Sequence, residues 1–202
     1  MFFLRVFIAV LFALLASCST LRPAPVAADT VTPRWQIHER GEHPGPVRVD
    51  VSLASSTAQL LTKDGAVLAE MDVSPGVPGH ETPHGKFRVL EKLPVKRSNL
   101  YGQYVTKDSR EVVVARAWEH TGPRPDGTVY QGIAMPFWLR LTSDGVGMHV
   151  GGFNRGQPSS HGCIRCPEEG QKFFRENCRV GTPVTVHDGP HPAPSALADH
   201  SG

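Results

Sequence analysis

Short segments in which apolar and polar residues alternate set the strongest limit on the fold of this chain. One of them, "VRVDVSL", places Val47, Val49, Val51 and Leu53 on one side, which is the pattern of a strand with one buried face. Strand character recurs in "AVLAEMDVS", "GKFRVLEKL", "QYVTK", "EVVVARAW", "FWLRLT", "GVGMHV" and "TPVTVH". Turn signals such as "SDG" separate these segments. Only "PEEGQKFFREN", which begins at Pro167 with two acids in its first turn, has helical character. The sequence predicts an α+β fold, mainly β with one short helix.

Length and composition limit the class of protein further. The chain has 202 residues, which suits one domain with tails. Hydrophobic residues make up 40% and charged residues 20%, as in a soluble globular protein. The net charge of +2 is too small to favour nucleic acid as a partner.

The N-terminus has the features of a targeting segment. Arg5 precedes the apolar run "VFIAVLFALLA", which is too short to span a bilayer and typical of a signal peptide. The following "LASC" resembles the lipobox of bacterial lipoproteins. This predicts a lipoprotein-type signal peptide over 1–17 and a lipidated Cys18 that anchors the protein to a membrane. Ordinary secretion with a free Cys18 is the alternative. Ser19 resembles an outer-membrane address, so the expected location is the periplasmic face of the cell envelope.

Two peripheral segments flank the expected domain, which spans 46–187. Residues 18–45 are rich in proline and small residues and are expected to form a lipid-anchored tether, from which Trp35 and Ile37 can dock on the domain. Residues 188–202 are expected to form a disordered tail. Its histidines and those at its edge, namely His187, His191 and His200, leave a metal-binding tail as the alternative.

The chemistry concentrates in "SSHGCIRC" and the strand before it. His149 lies in "GVGMHV", where alternation places it on the same face as Gly147. Cys163 follows fourteen residues later and is expected to open a helix, whose N-terminal amides would favour a thiolate. Gly162 lets the backbone approach a ligand closely, and the amides around Cys163 can form an oxyanion hole. A thiol, an imidazole and free amide donors are the groups that acyl transfer through a thioester requires.

These residues resemble a known family. "MHV…SSHGCIR" is similar to the signature of the L,D-transpeptidase (YkuD-type) catalytic domain. The upstream stretch from "VDVSLASSTAQLL" to "PGHETPHGKFRV", together with "SNLYGQYV" and "MPFWLRLTSDGVGMHVG", adds to the likeness. The resemblance extends over roughly residues 47–187 and implies a β-sandwich-like catalytic domain.

The resemblance also implies roles for individual residues. Cys163 is expected to be the nucleophile and His149 the proton acceptor and donor. His161 is expected to line the site, and the amides of Gly162 and Cys163 to hold the oxyanion. Arg165 is expected to bind a carboxylate of the substrate or to brace the loop, with an internal ion pair as the alternative.

The remaining candidates concern substrate binding. Ser160 is a candidate contact to substrate, with capping of the turn as the alternative. Four aromatic residues are candidate walls of the cleft, and for Trp138 packing in the core is the alternative: Tyr101, Trp118, Tyr130 and Trp138. The segment 92–135 contains the least strand-like part of the domain, the loop "EHTGPRPDGTVYQG", which is expected to cover the cleft.

The implied reaction takes place on stem peptides of peptidoglycan. The thiol attacks the carbonyl of the third stem residue, releases terminal D-alanine and passes the acyl group to an amine of a neighbouring stem. No metal or organic cofactor is expected. A hydrolase that cuts cross-links or lipoprotein–wall links, and a non-catalytic peptidoglycan-binding lipoprotein, are the alternatives.

Two features depart from the family pattern. Val150 and Gly151 follow the histidine where many members have a glycine and a hydroxyl residue, so we expect a backbone carbonyl to orient the imidazole. Cys166 replaces an aliphatic residue. It can join His149, His161 and Cys163 in a zinc site, pair with Cys178 or Cys163 in a disulfide, or serve as a small buried apolar residue, which is the preferred interpretation.

Overall fold

The structure is a computed structural model that describes residues 34–39, 41–153 and 157–192. The predicted signal peptide, the proposed lipidation site at Cys18 and the tail beyond residue 192 lie outside these residues. Within them, no helix has the length and apolar character needed to cross a membrane.

Eleven strands and one α-helix make up the described fold. The strands are β1 Trp35–Ile37, β2 Val47–Ser52, β3 Thr57–Thr62, β4 Val67–Asp72, β5 Gly85–Arg88, β6 Glu91–Thr106, β7 Val112–Val114, β8 Thr128–Arg140, β9 Gly147–Val150, β10 Ile164–Cys166 and β11 Pro183–His187, and the helix is α1 Glu168–Asn177. The prediction of a mainly β fold with one helix is confirmed.

The strands form two sheets. The first has six strands in the order β1-β4-β3-β2-β11-β5, and the second has five in the order β10-β9-β8-β6-β7. In the first sheet β11 runs parallel to β2, so the last strand returns to the middle of the sheet. Trp35 and Ile37 lie in β1, which pairs antiparallel with β4. The end of the expected tether therefore docks on the domain as predicted.

The core lies between the sheets and under the helix. Val47, Val49 and Val51 point into it from one face of β2, as the alternation predicts. Helix α1 begins after Pro167, carries two glutamates in its first turn and buries Phe173 and Phe174, which are large apolar side chains worth roughly 1.5–3 kcal/mol each when fully buried.

The predicted loop "EHTGPRPDGTVYQG" is only partly irregular. Its last five residues, 128–132, belong to strand β8, because the long strands β6 and β8 pair over nearly their whole lengths. Cross-strand pairing over this distance outweighs the weak local pattern of the segment. The irregular part is confined to the connection between β7 and β8, where a short 3-10 helix spans Ala117–Glu119.

Candidate active site

His149 lies on β9 with its ring largely buried. The residue is 7% exposed, and its Nδ1 forms a 2.8 Å hydrogen bond with the carbonyl oxygen of Val150. This bond fixes Nδ1–H as the donor and leaves the lone pair of Nε2 free to accept a proton. The expectation that a backbone carbonyl orients this imidazole is confirmed.

Cys163 lies just before β10, which pairs parallel with β9 and sets Arg165 opposite His149. The prediction that Cys163 opens a helix is wrong, because the chain continues as a strand and α1 begins only at Glu168. The parallel pairing with β9 holds the backbone extended here. The thiol therefore lacks the field of a helix N-terminus, and its environment depends on nearby amides and charges.

Burial favours the neutral forms of both Cys163 and His149. Desolvation is the main cause that raises the pKa of the Cys163 thiol, although the amide of Gly147 and the charge of Arg165 oppose it. Desolvation is also the main cause that lowers the pKa of His149, and the charge of Arg165 lowers it further. The resting pair is thus a thiol beside a neutral imidazole, which suits transfer of a proton to His149 during attack.

Free amide donors flank the thiol. Gly162 has a φ of +103°, a backbone conformation that favours glycine, and it turns the chain immediately before Cys163. The backbone N–H groups of His161, Gly162 and Cys163 donate to no acceptor within the described residues. Adjacent free amides are the donors that an oxyanion hole needs.

Arg165 braces the loop that follows His149. Its Nη1 donates to the carbonyl oxygen of Gly152 at 3.0 Å and approaches the hydroxyl of Ser159 at 3.4 Å. Among the residues that the structure describes, no carboxylate forms an ion pair with this guanidinium. The bracing role is therefore observed, and the alternative of an internal ion pair is not supported in this part of the chain.

His161 and Ser160 have different parts in the turn before Cys163. The ring of His161 stacks on Tyr101 with centroids 5.0 Å apart and meets the edge of His80 at 4.3 Å. Ser160 is 2% exposed, and its hydroxyl donates to the carbonyl oxygen of Cys163. This hydroxyl therefore donates within the turn, which agrees with the alternative that Ser160 caps the turn.

These side chains surround one cleft of about 230 Å³. The residues that line it are Ser98, Tyr101, Trp118, Ile133, Met135, His149, Ser159, Ser160, His161, Cys163 and Arg165. Tyr101 and Trp118 contact each other edge to face, 5.4 Å between centroids, and form an aromatic wall as expected. Trp118 lies in the short 3-10 helix just before the loop predicted to cover the cleft, and no residue of that loop lines the cleft.

The other two predicted aromatic walls lie elsewhere. Trp138 is 0% exposed. It packs behind His149 with ring centroids 5.9 Å apart and donates from Nε1 to Glu91 at 2.8 Å. It cannot touch substrate, and the alternative of core packing is the observed one. Tyr130 lines a neighbouring groove with Arg97. Its placement corrects the expectation that it walls the cleft.

Cys166 lies on the core side of β10. It is fully buried, whereas Arg165 before it faces the cleft, because side chains alternate along a strand. Burial raises the pKa of the Cys166 thiol far above its ordinary value and that of Cys178 to about 12. Cys163, Cys166 and Cys178 are all free thiols. The interpretation of Cys166 as a small buried apolar residue is confirmed by its burial.

Sequence reasoning missed several residues of the cleft. Ile133 and Met135 line it from β8, and their alternate spacing was the available signal. His80 lies outside this lining but contacts His161 from the turn after β4, and no local feature of that turn indicates the contact. The amide of Gly147 reaches the thiol of Cys163 only through the pairing of two strands.

Comparisons with known proteins agree with this geometry. Residues 46–186 match the family model of the L,D-transpeptidase catalytic domain, YkuD. Comparison with curated proteins gave no match. Solved structures that share the fold include an L,D-transpeptidase from Mycobacterium smegmatis, 20% identical with a TM-score of 0.53, where 80% of each chain is covered.

Two further solved structures are similar in fold. An L,D-transpeptidase from Stackebrandtia nassauensis is 21% identical with a TM-score of 0.50, covering 75% of this chain and 60% of that one. The LD transpeptidase LdtMt1 in complex with imipenem is 21% identical with a TM-score of 0.51, covering 70% of this chain and 58% of that one. The chain thus spans about 60% of the length of these two proteins. Because the family model matches well over half of the 202 residues, the chain belongs to the YkuD family of L,D-transpeptidase catalytic domains.

Proposed function

We propose that the protein is a peptidoglycan L,D-transpeptidase with Cys163 as its nucleophile. The observation that carries the proposal is that Cys163 and His149 line one cleft beside three free backbone amides. Membership of the family supports the class of reaction. The neutral thiol and imidazole support a mechanism in which His149 acts as general base.

In the acylation half-reaction, Cys163 attacks the carbonyl carbon of the third stem residue while its proton passes to Nε2 of His149. The amides of Gly162 and Cys163 hold the oxyanion of the tetrahedral intermediate. When the C–N bond breaks, the imidazolium returns the proton to the amine of the departing D-alanine. The stem is then a thioester on Cys163.

In the transfer half-reaction, the amine of a neighbouring stem attacks the thioester carbonyl. Neutral His149 removes a proton from this amine, and the same amides hold the second oxyanion. Collapse forms the new amide bond and releases the sulfur, which recovers its proton from His149. Atoms and charge therefore balance without a cofactor.

The lining of the cleft supports a peptide substrate with a charged end. Tyr101, Trp118, Ile133 and Met135 provide an apolar wall for the aliphatic parts of a stem. Arg165 provides a guanidinium that has no carboxylate partner among the described residues, and arginine suits recognition of a substrate carboxylate. The position of Arg165 next to His149 places that recognition beside the reacting centre.

The test is to incubate purified protein with a defined tetrapeptide stem and an excess of an amine acceptor. The proposal predicts release of D-alanine and formation of the cross-linked product, both read by mass spectrometry. Release of D-alanine without cross-linked product at any acceptor concentration would instead assign the protein as an L,D-carboxypeptidase. Binding of stems without release of D-alanine would assign the non-catalytic alternative.

We also propose that a lipid at Cys18 anchors the protein to a membrane facing the periplasm, the outer membrane in preference to the inner one. The support is the lipobox-like "LASC" followed by Ser19. Cys18→Ser is expected to move the protein from the membrane fraction to the soluble periplasmic fraction. A wild-type protein that is already soluble would contradict the anchor.

A further inference from the structure

Three side chains of types that commonly bind metal ions lie close together on the outer face of the first sheet. They are Asp50 on β2, His187 at the end of β11 and His191 just after it. Oδ1 of Asp50, Nε2 of His187 and Nδ1 of His191 lie within 4.8 Å of one another. Because Val49 and Val51 point into the core, Asp50 between them faces the opposite side of the sheet. The cluster is therefore not part of the cleft, which lies in the second sheet.

The chain after β11 is folded back so that His191 reaches this face. The amide of Leu53 donates to the carbonyl oxygen of His187 at 2.8 Å. The hydroxyl of Ser52 donates to the carbonyl oxygen of Gly189 at 2.7 Å. These two bonds fasten the segment that carries His191 to the end of β2. The pair His187 and His191 has the spacing H-x₃-H, which is usual for zinc ligands.

The charge of the cluster is unbalanced without a cation. The carboxylate of Asp50 is 5% exposed, and the only charged or titratable groups of the described residues that it meets are two imidazoles, at 2.9 Å from His187 and 2.6 Å from His191. No lysine or arginine of the described chain forms an ion pair with it. A buried carboxylate requires a neutralising partner, and either a protonated imidazole or a metal ion supplies one here.

The orientation of the rings suits a metal ion. Both imidazoles aim a ring nitrogen at the same oxygen of Asp50, so that removal of their protons leaves two lone pairs converging on one point. The other nitrogen of His191, Nε2, bonds to the hydroxyl of Thr57 at 2.7 Å. A bond of this kind from the second ring nitrogen is what orients a histidine ligand around a metal.

We propose that Asp50, His187 and His191 form a zinc site that fastens the segment after β11 to the outer face of the first sheet. Two imidazoles and one carboxylate are a common set of zinc ligands, with water as the fourth. His187 remains 26% exposed, which leaves a side open for that water. Tetrahedral ligands at about 2.0–2.1 Å from zinc are about 3.3 Å apart, so the Asp50–His187 and Asp50–His191 separations of 2.9 and 2.6 Å lengthen by less than about 1 Å on binding.

The experiment measures zinc binding to the purified, untagged full chain. Cys163→Ala is used as the background, because it removes the thiol of the cleft, which competes for metal. Isothermal titration with zinc chloride is expected to give one site per chain, and the melting temperature is expected to rise with zinc, since an ion bound only to the folded state stabilises it. Magnesium chloride is expected to produce neither effect, because magnesium prefers oxygen ligands.

Two variants in that background assign the ligands. His191→Gln keeps a donor for Asp50 but lacks an imidazole, and it is expected to weaken zinc binding at least tenfold, in the range of lost metal ligands and their supports. His84→Ala is the matched control, because His84 lies beside the cluster but pairs with Asp188 at 3.2 Å. It is expected to bind zinc like its parent.

Three outcomes would overturn the zinc site. They are the absence of saturable zinc binding in the parent, equal binding by His191→Gln and its parent, and equal loss on His84→Ala and His191→Gln. Circular dichroism of each variant establishes that the fold is retained. The experiment does not use activity, so its result is independent of the proposed transpeptidase function.

Discussion

Two thiols lie on opposite sides of the second sheet near strand β10, one in the cleft and the other in the core. Cys163 lies before the strand on the cleft side, where it is half-buried and faced by an imidazole and free amides. Cys166 lies three residues later on the core side, fully buried among apolar residues. The two residues have the same functional group, and the face of the sheet decides which one lies in the cleft. Access of a thiol to substrate is therefore expected to depend on the strand pairing that selects the face.

The largest expected effect comes from removing the thiol on the cleft side. Cys163→Ala is expected to abolish cross-linking of stem peptides, because no other thiol reaches the cleft in the described part of the chain. The melting temperature should stay close to that of the wild type, since the side chain is small and half-buried. Product formation is followed by mass spectrometry. Turnover above a trace in this variant would remove Cys163 from the chemistry.

Removing the proposed base, His149, which also lines the cleft, is expected to have the next largest effect. His149→Ala is expected to lower kcat by a factor of about 10² to 10⁴, the usual contribution of a general base. Formation of the acyl-enzyme should slow to a similar extent, which rapid-quench mass spectrometry measures. An unchanged rate of acylation would show that the thiol is activated by another group.

Removing the charge of Arg165 should shift the pH dependence of kcat/KM. The charge of Arg165 helps to lower the pKa values of both His149 and Cys163. In Arg165→Gln both pKa values rise, so protonation of His149 begins to remove the base at a higher pH. The acid limb of the kcat/KM profile is expected to move to higher pH in Arg165→Gln and to stay in place in Arg165→Lys. Identical profiles for the wild type and both variants would mean that Arg165 acts through binding alone.

The core side of the strand should tolerate substitution. Cys166→Val roughly conserves volume and is expected to cost less than about 1.5 kcal/mol, with kcat/KM nearly unchanged. Because Cys163 and Cys166 lie on opposite faces of the sheet, the wild type and Cys166→Val should lose activity to peroxide at the same rate. Both should recover equally with reductant. Recovery of the wild type without recovery of the variant would show that Cys166 protects Cys163 as a disulfide.

The sequence was sufficient for the strands with clear alternation and for the pair His149 and Cys163, because both depend on local pattern and motif. It failed where partners far along the chain decide the environment. Trp138 is buried because its ring packs beside His149 on the neighbouring strand β9, and local sequence cannot distinguish this position from a cleft wall. Asp50 meets His187 only because β2 and β11 pair in parallel, and no local feature of "VRVDVSL" indicates such a contact.

Acylation of the wild-type protein by imipenem tests the assignment of Cys163 as nucleophile most directly. Attack of the Cys163 thiol on the β-lactam carbonyl of this carbapenem, with transfer of the thiol proton to His149, mimics the first half-reaction. Intact mass and peptide mapping are expected to show one adduct per chain, located on Cys163, and none on Cys166 or Cys178. The absence of an adduct after prolonged incubation, or an adduct on a residue other than Cys163, would contradict the assignment.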